Sequence, residues 1–125
     1  SGSRYAIAAY VAKRSFLAEN HERVVRFIKA QVEAIHYLKT RPKEGMEILK
    51  RYTRIDAPDV LKPAYDLHTK LFPRVPEIFP EDLKLVLEEV AMTVPKAKGA
   101  NPASFIDGRA VKDVIASGFV EQLYR

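Results

Sequence analysis

A chain of 125 residues with 47% hydrophobic and 30% charged residues has the composition of one globular domain, which excludes an extended disordered protein. The absence of cysteine excludes disulfides and thiolate chemistry, and no apolar run approaches the ~18 residues that a membrane helix requires. The net charge of +5 is uneven: residues 1–54 carry 12 Lys/Arg against 5 Asp/Glu, and residues 55–125 carry 9 against 11.

Ser1-Gly2-Ser3 reads as a tag scar, leaving residues 4–125 as a single helical domain. Residues Tyr5–Ala12 (YAIAAYVA) are apolar and rich in aromatic and branched side chains. They form the one strand candidate, although their alanines also allow helix. A single strand makes no sheet. Its apolar edge predicts self-association of the chain through residues 5–12, or pairing with sequence outside it.

Ser15 is placed to cap a short helical turn, Phe16–Glu19. Asn20 is placed to cap the element that dominates the chain, a helix from there to about Thr40. At 100° per residue, Val24, Val25, Phe27, Ile28, Val32, Ile35 and Leu38 fall on one side. The other side is polar, with Glu22 four residues before Arg26 and Lys29 four before Glu33. Those spacings are intrahelical pairs on a solvated face. The basic first half therefore predicts no nucleic-acid partner, the alternative its charge raises.

Pro42 suits the first position of a second long helix, Pro42–Thr53. Gly45 inside it costs up to ~1 kcal/mol against alanine, a cost that close approach of another helix would explain. Asp56, with Asp59 three residues on, predicts the start of the next helix, with Val60, Leu61, Ala64, Leu67, Leu71 and Phe72 as its apolar arc and Pro63 as a bend. Pro73, Pro76 and Pro80 make an extended connector. Pro80 then opens a helix to about Val94, with Leu83, Val86, Leu87, Val90 and Val94 on one face and Leu85 and Met92 on the other. After the loop Pro95–Pro102 come a short helix with Val111, Val114 and Ile115, a left-handed stop at Gly118, and a last apolar turn of Phe119, Val120, Leu123 and Tyr124. The fold class is therefore mainly α, with five or six helices and at most one short N-terminal strand.

Catalytic chemistry is hard to place on this chain. His21, His36 and His68 have no zinc spacing; His68 falls in an apolar arc, where a hydrogen-bonded core histidine is the plainer reading. Glu81-Asp82 and Glu88-Glu89 are helix neighbours that do not face each other, so they make poor acid–base dyads. Ser15, Ser104 and Ser117 lack a nucleophile elbow, and there is no glycine-rich phosphate loop. The expectation is a non-enzyme with no catalytic residue, no metal site and no cofactor.

The order of segments carries a resemblance. Lys13–Asp56 (KRSFLAENHERVVRFIKAQVEAIHYLKTRPKEGMEILKRYTRID), Pro58–Val90 (PDVLKPAYDLHTKLFPRVPEIFPEDLKLVLEEV) and the tail pieces Pro95–Val111 and Ser117–Tyr124 follow one another as in a known family. The chain resembles the C-terminal segment of ABC-transporter substrate-binding proteins of the nitrate/sulfonate/taurine group, related to thiamine-pyrimidine precursor proteins. His21 stands where that family has proline after the asparagine. The resemblance implies a fragment of a two-lobed α/β fold of the periplasmic-binding-protein type. It implies capture of a small solute (nitrate, sulfonate, taurine, bicarbonate or a pyrimidine-like molecule) outside the cytoplasmic membrane, and delivery to a permease. It also implies that only the start of the strand, near Arg4 and Tyr5, approaches the ligand cleft; no ligand-binding residue is assigned. The alternative reading is a stand-alone helical module that grips a partner protein through its apolar side, and the second alternative is a basic nucleic-acid-binding domain.

Overall fold

The computed structural model describes residue 6 and residues 8–125. The fold is all-α among these residues. Its helices are α1 (Arg14–Glu19), α2 (His21–Thr40), α3 (Pro42–Thr53), α4 (Pro58–Leu71), α5 (Pro80–Ala91), α6 (Arg109–Ala116) and α7 (Phe119–Leu123), with short 3-10 turns at Pro95–Ala97 and Pro102–Phe105. The mainly helical expectation holds. The described helices number seven rather than five or six, because α1 and α7 each form as a separate short element.

The expected strand Tyr5–Ala12 does not form over residues 8–12, which have no regular structure; Tyr5 and Ile7 lie outside the described residues. Tyr10 and Val11 are 68% and 93% exposed. Hydrophobic β-branched character makes a strand only where a neighbouring backbone supplies ladder partners. The one described backbone bond here is isolated, from the Ala6 N–H to the Asp82 carbonyl at 2.9 Å.

The chain divides into two compact units, residues 1–21 with 77–109 and residues 22–76 with 110–125. The second contains the apolar core. On α2, Ile28 and Val32 share a buried cluster with Ala110, Val111 and Val114 of α6 and Val120 of α7; Val32 and Val114 are fully enclosed. The helical spacing of Ile28 and Val32 is what brings them to one side. Gly118, at φ 72°, takes the left-handed conformation expected of a C′ glycine and lets the chain turn from α6 into α7. Lys29 covers the outer side of this cluster, its ammonium 5.1 Å from the centre of the Phe119 ring.

In the same unit α3 packs on α4. Gly45 is buried, and a β-carbon on it would lie 2.8 Å from Tyr65 Cε2 and 3.1 Å from Leu38 Cδ1. This is the close approach that accounts for a glycine inside a helix. Tyr65 is itself buried, and its hydroxyl donates to the Leu38 carbonyl. Burial raises the Tyr65 phenol above its ordinary pKa.

Asp56 does not cap α4. Its carboxylate pairs with Lys50 Nζ at 2.5 Å, and the helix starts two residues later at Pro58, with Ala57 in the cap position. Proline at the first position needs no side-chain acceptor for its missing N–H and arrives with helical φ. α4 then runs through Pro63 to Leu71. Nor does Ser15 cap α1: the helix begins at Arg14, and the Asn20 side-chain amide turns back to donate to the Phe16 carbonyl at 3.0 Å.

The first unit is built differently. Asp82 folds back on the start of α5, where its Oδ2 accepts from the Phe79 N–H at 2.8 Å, half of a capping box. α5 packs against both 3-10 turns, and Arg14 donates from Nη2 to the Ser104 carbonyl at 2.7 Å. Among its described residues the one buried residue is Asp82; no apolar side chain of this unit is buried. Leu83, Val86 and Leu87 are half-buried, while Leu85 and Met92, on the opposite face, are exposed, Met92 by 85%.

Candidate functional site

A concavity lies where α2 hands over to α3. It is an open groove of about 720 Å³. Glu33, His36, Tyr37 and Thr40 line it from the polar side of α2, where spacings of three, four and seven residues put them on one face, and Arg41 lines it from the junction between the two helices. Lys43 and Glu44 close it from the first turn of α3. That spacing was legible in the sequence, where it reads as a solvated face.

His36 stands edge-on to the Tyr124 ring, centroids 4.7 Å apart and planes at 81°. The Arg74 guanidinium lies over the same ring at 4.7 Å. The Tyr124 hydroxyl is buried with no hydrogen-bond partner among the described residues. Burial raises its pKa, and the Arg74 charge partly opposes this. At the mouth of the groove Arg41 lies 5.5 Å from the Tyr37 ring centre and reaches Glu44 at 3.9 Å. Two cations, Arg41 and Lys43, thus face two carboxylates, Glu33 and Glu44. The groove has no net pull for an anion, and its side chains form no nucleophile–base pair.

The other sequence candidates are dispersed. His68 is exposed, not in the core, with its ring 5.9 Å from Phe72, because α4 turns Tyr65 inward rather than the side that carries His68. Arg4 and Tyr5, the positions nearest the implied cleft, lie outside the described residues. No group of three or more His, Cys, Asp or Glu among the described residues is placed to hold a metal. No described helix is long and apolar enough to cross a membrane.

The strongest local electrostatic feature is at the start of α6. Arg109 donates from Nε to Asp107 Oδ1 at 2.9 Å and from Nη2 to Oδ2 at 2.6 Å, while its backbone N–H donates to Oδ1 at 3.2 Å. These bonds, with Arg109 first among the causes, lower the Asp107 pKa from 3.8 to about 2. A folded-state pKa below the unfolded one stabilises fully above the unfolded value and is lost as pH falls through the folded value. Asp107→Asn is therefore expected to lower the melting temperature at pH 7, and the gap from wild type to close between pH 4 and about pH 2. Thermal unfolding followed by circular dichroism across that range checks it; a gap that persists at pH 2 contradicts the assignment.

No family model, no curated protein and no solved structure matches the chain.

Proposed function

We propose that this chain is the closing portion of a solute-binding protein of an ABC importer, and that it works as a structural wall of the parent rather than as the ligand site. The observation that carries the reading is the first unit: two helices (α1 and α5), two 3-10 turns and a stretch of exposed chain with no buried apolar side chain among its described residues. A domain is stable because apolar faces are covered, and here Leu85, Val90 and Met92 are offered to solvent. The segment order from Lys13 to Tyr124 supplies the family, and the uncovered faces match a piece whose sheet-bearing lobe is supplied elsewhere. In this reading the parent binds a small solute outside the cytoplasmic membrane and docks on a permease. The balanced charges of the groove beside His36 give it no preference for an anionic solute.

The same exposed faces also suit a stand-alone interaction module, and one test separates the two. The codons upstream of Arg4 in the parent gene are expected to encode a signal peptide and a two-lobed α/β portion. Thermal shift of that full-length protein with nitrate, taurine, bicarbonate and a hydroxymethylpyrimidine is then expected to show one stabilising solute, worth about 2.7 kcal/mol at a hundredfold excess over Kd. A start codon beside Arg4 overturns the proposal in favour of the interaction module.

A further inference from the structure

The apolar arc of α4 points the wrong way for a core. Val60, Ala64, Leu67 and Leu71 recur at intervals of four, three and four residues, the spacing of a coiled-coil seam. Yet Val60, Leu67 and Leu71 are 50%, 56% and 58% exposed. The helix instead docks on its own unit through Tyr65, which lies well round the helix from the seam, with its hydroxyl on the Leu38 carbonyl. The result is an exposed apolar seam about 16 Å long at ~1.5 Å per residue.

We propose that this seam pairs with the same seam of a second copy of the chain, antiparallel and about a two-fold axis. Charge selects both the partner and the direction. Asp59 and Lys70 flank the seam on the same side, about 16 Å apart along the helix at ~1.5 Å per residue, and among the described residues neither is in an ion pair. In an antiparallel pair like flanks meet, so each Asp59 faces Lys70 of the partner subunit, and the two contacts are equivalent by symmetry. Setting Val60 against Leu71 of the partner subunit and Ala64 against Leu67 of the partner subunit leaves Asp59 and the partner's Lys70 offset by only about 3 Å along the axis, within reach of a lysine side chain. Each layer then matches a small residue with a larger one. In a parallel pair opposite flanks meet, so neither Asp59 nor Lys70 would find its counterpart across the seam and the charge pairing would be lost. Opposed helix dipoles favour the same choice. One helix pair belongs to the small interfaces, under about 1,200 Å², so the association is reversible and concentration-dependent. It does not depend on the solute-binding reading, and the upstream gene test leaves it untouched.

Sedimentation equilibrium of the full chain over a wide concentration range tests it. Wild type is expected to show a monomer–dimer equilibrium. Leu67→Glu, at an exposed position that leaves the fold intact by circular dichroism, is expected to raise the dissociation constant at least about tenfold, since each dimer loses two buried leucines. Asp59→Lys alone and Lys70→Asp alone are each expected to weaken self-association, and an equimolar mixture of the two is expected to form a heterodimer tighter than either homodimer. A wild-type chain that stays monomeric overturns the proposal. So does a dimer untouched by Leu67→Glu, which would move the contact to residues 5–12, and so do single charge variants that dimerise like wild type, which would remove the antiparallel register.

Discussion

Val114→Ala is expected to lower stability by about 2–3 kcal/mol, the cost of removing two methyl groups from a site that does not collapse around the gap. Val114 is fully enclosed and sits in the cluster that α6 and α7 make with α2. That cluster has six buried members, so each carries a large share of the packing that holds the second unit together. A loss of 3 kcal/mol corresponds to a fall in melting temperature of roughly 10 °C for a chain of this size. Val114→Asp is expected to abolish folding of that unit, because it buries a carboxylate with no partner. Val32→Ala is expected to behave like Val114→Ala. The double variant is expected to depart from the sum by more than about 0.5 kcal/mol, since neighbours in one cluster share one cavity. Met92→Ala, at 85% exposure, is the control and is expected to change stability by less than about 0.5 kcal/mol. Urea unfolding of the five variants checks the series. Equal effects at Val114 and Met92 would mean that the cluster is not the unit's core.

What was legible in the sequence was legible for local reasons. Pro42 and Pro80 fix φ and lack an N–H, so each marks a first helical turn whatever surrounds it, and α3 and α5 begin on them. Gly118 adopts the left-handed conformation at the place where the apolar spacing of α6 runs out. The 3.6-residue period of α2 put Ile28 and Val32 on one face before any partner was known. The polar face that lines the groove beside His36 had the same period but read as a solvated face, because nothing local distinguishes a groove wall from one.

The expectations that failed depended on partners. Asp56 is an excellent capping residue, but Lys50 lies within reach of its carboxylate, and the helix starts at Pro58 without it. Residues 8–12 have strand-like side chains without a strand, because a ladder is a property of two segments. His68 shares the arc of α4 with Leu61 and Leu71, yet helical period says only that an arc exists, not which part of it faces inward. That choice is made by Tyr65, the residue on α4 with both a large ring and an acceptor to reach, and no periodicity encodes it.

The same tyrosine makes Gly45 the position where a normally favourable substitution changes sign. Alanine inside a helix is worth about 1 kcal/mol over glycine. At Gly45 the new methyl would lie 2.8 Å from Tyr65 Cε2, 3.1 Å from Leu38 Cδ1 and 3.5 Å from the Leu38 carbonyl oxygen. Leu38 Cδ1 is a flexible tip and can give way. The tyrosine ring is 4% exposed and tied by its hydroxyl to the Leu38 carbonyl, so it cannot move without breaking that bond. Overpacking of this kind costs about 1–3 kcal/mol, which outweighs the propensity gain. Gly45→Ala is expected to destabilise by about 1 kcal/mol, and Gly45→Val, with two more methyls and a poorer helix propensity, by about 3 kcal/mol. In a Tyr65→Ala background the obstruction is gone, and Gly45→Ala is expected to stabilise by up to about 1 kcal/mol. A double-mutant cycle by chemical denaturation reads that reversal of sign directly. If Gly45→Ala stabilises the chain with Tyr65 in place, α3 and α4 are not held at the distance that the buried glycine implies. The Tyr65–Leu38 bond would then not be what turns the apolar seam of α4 outward.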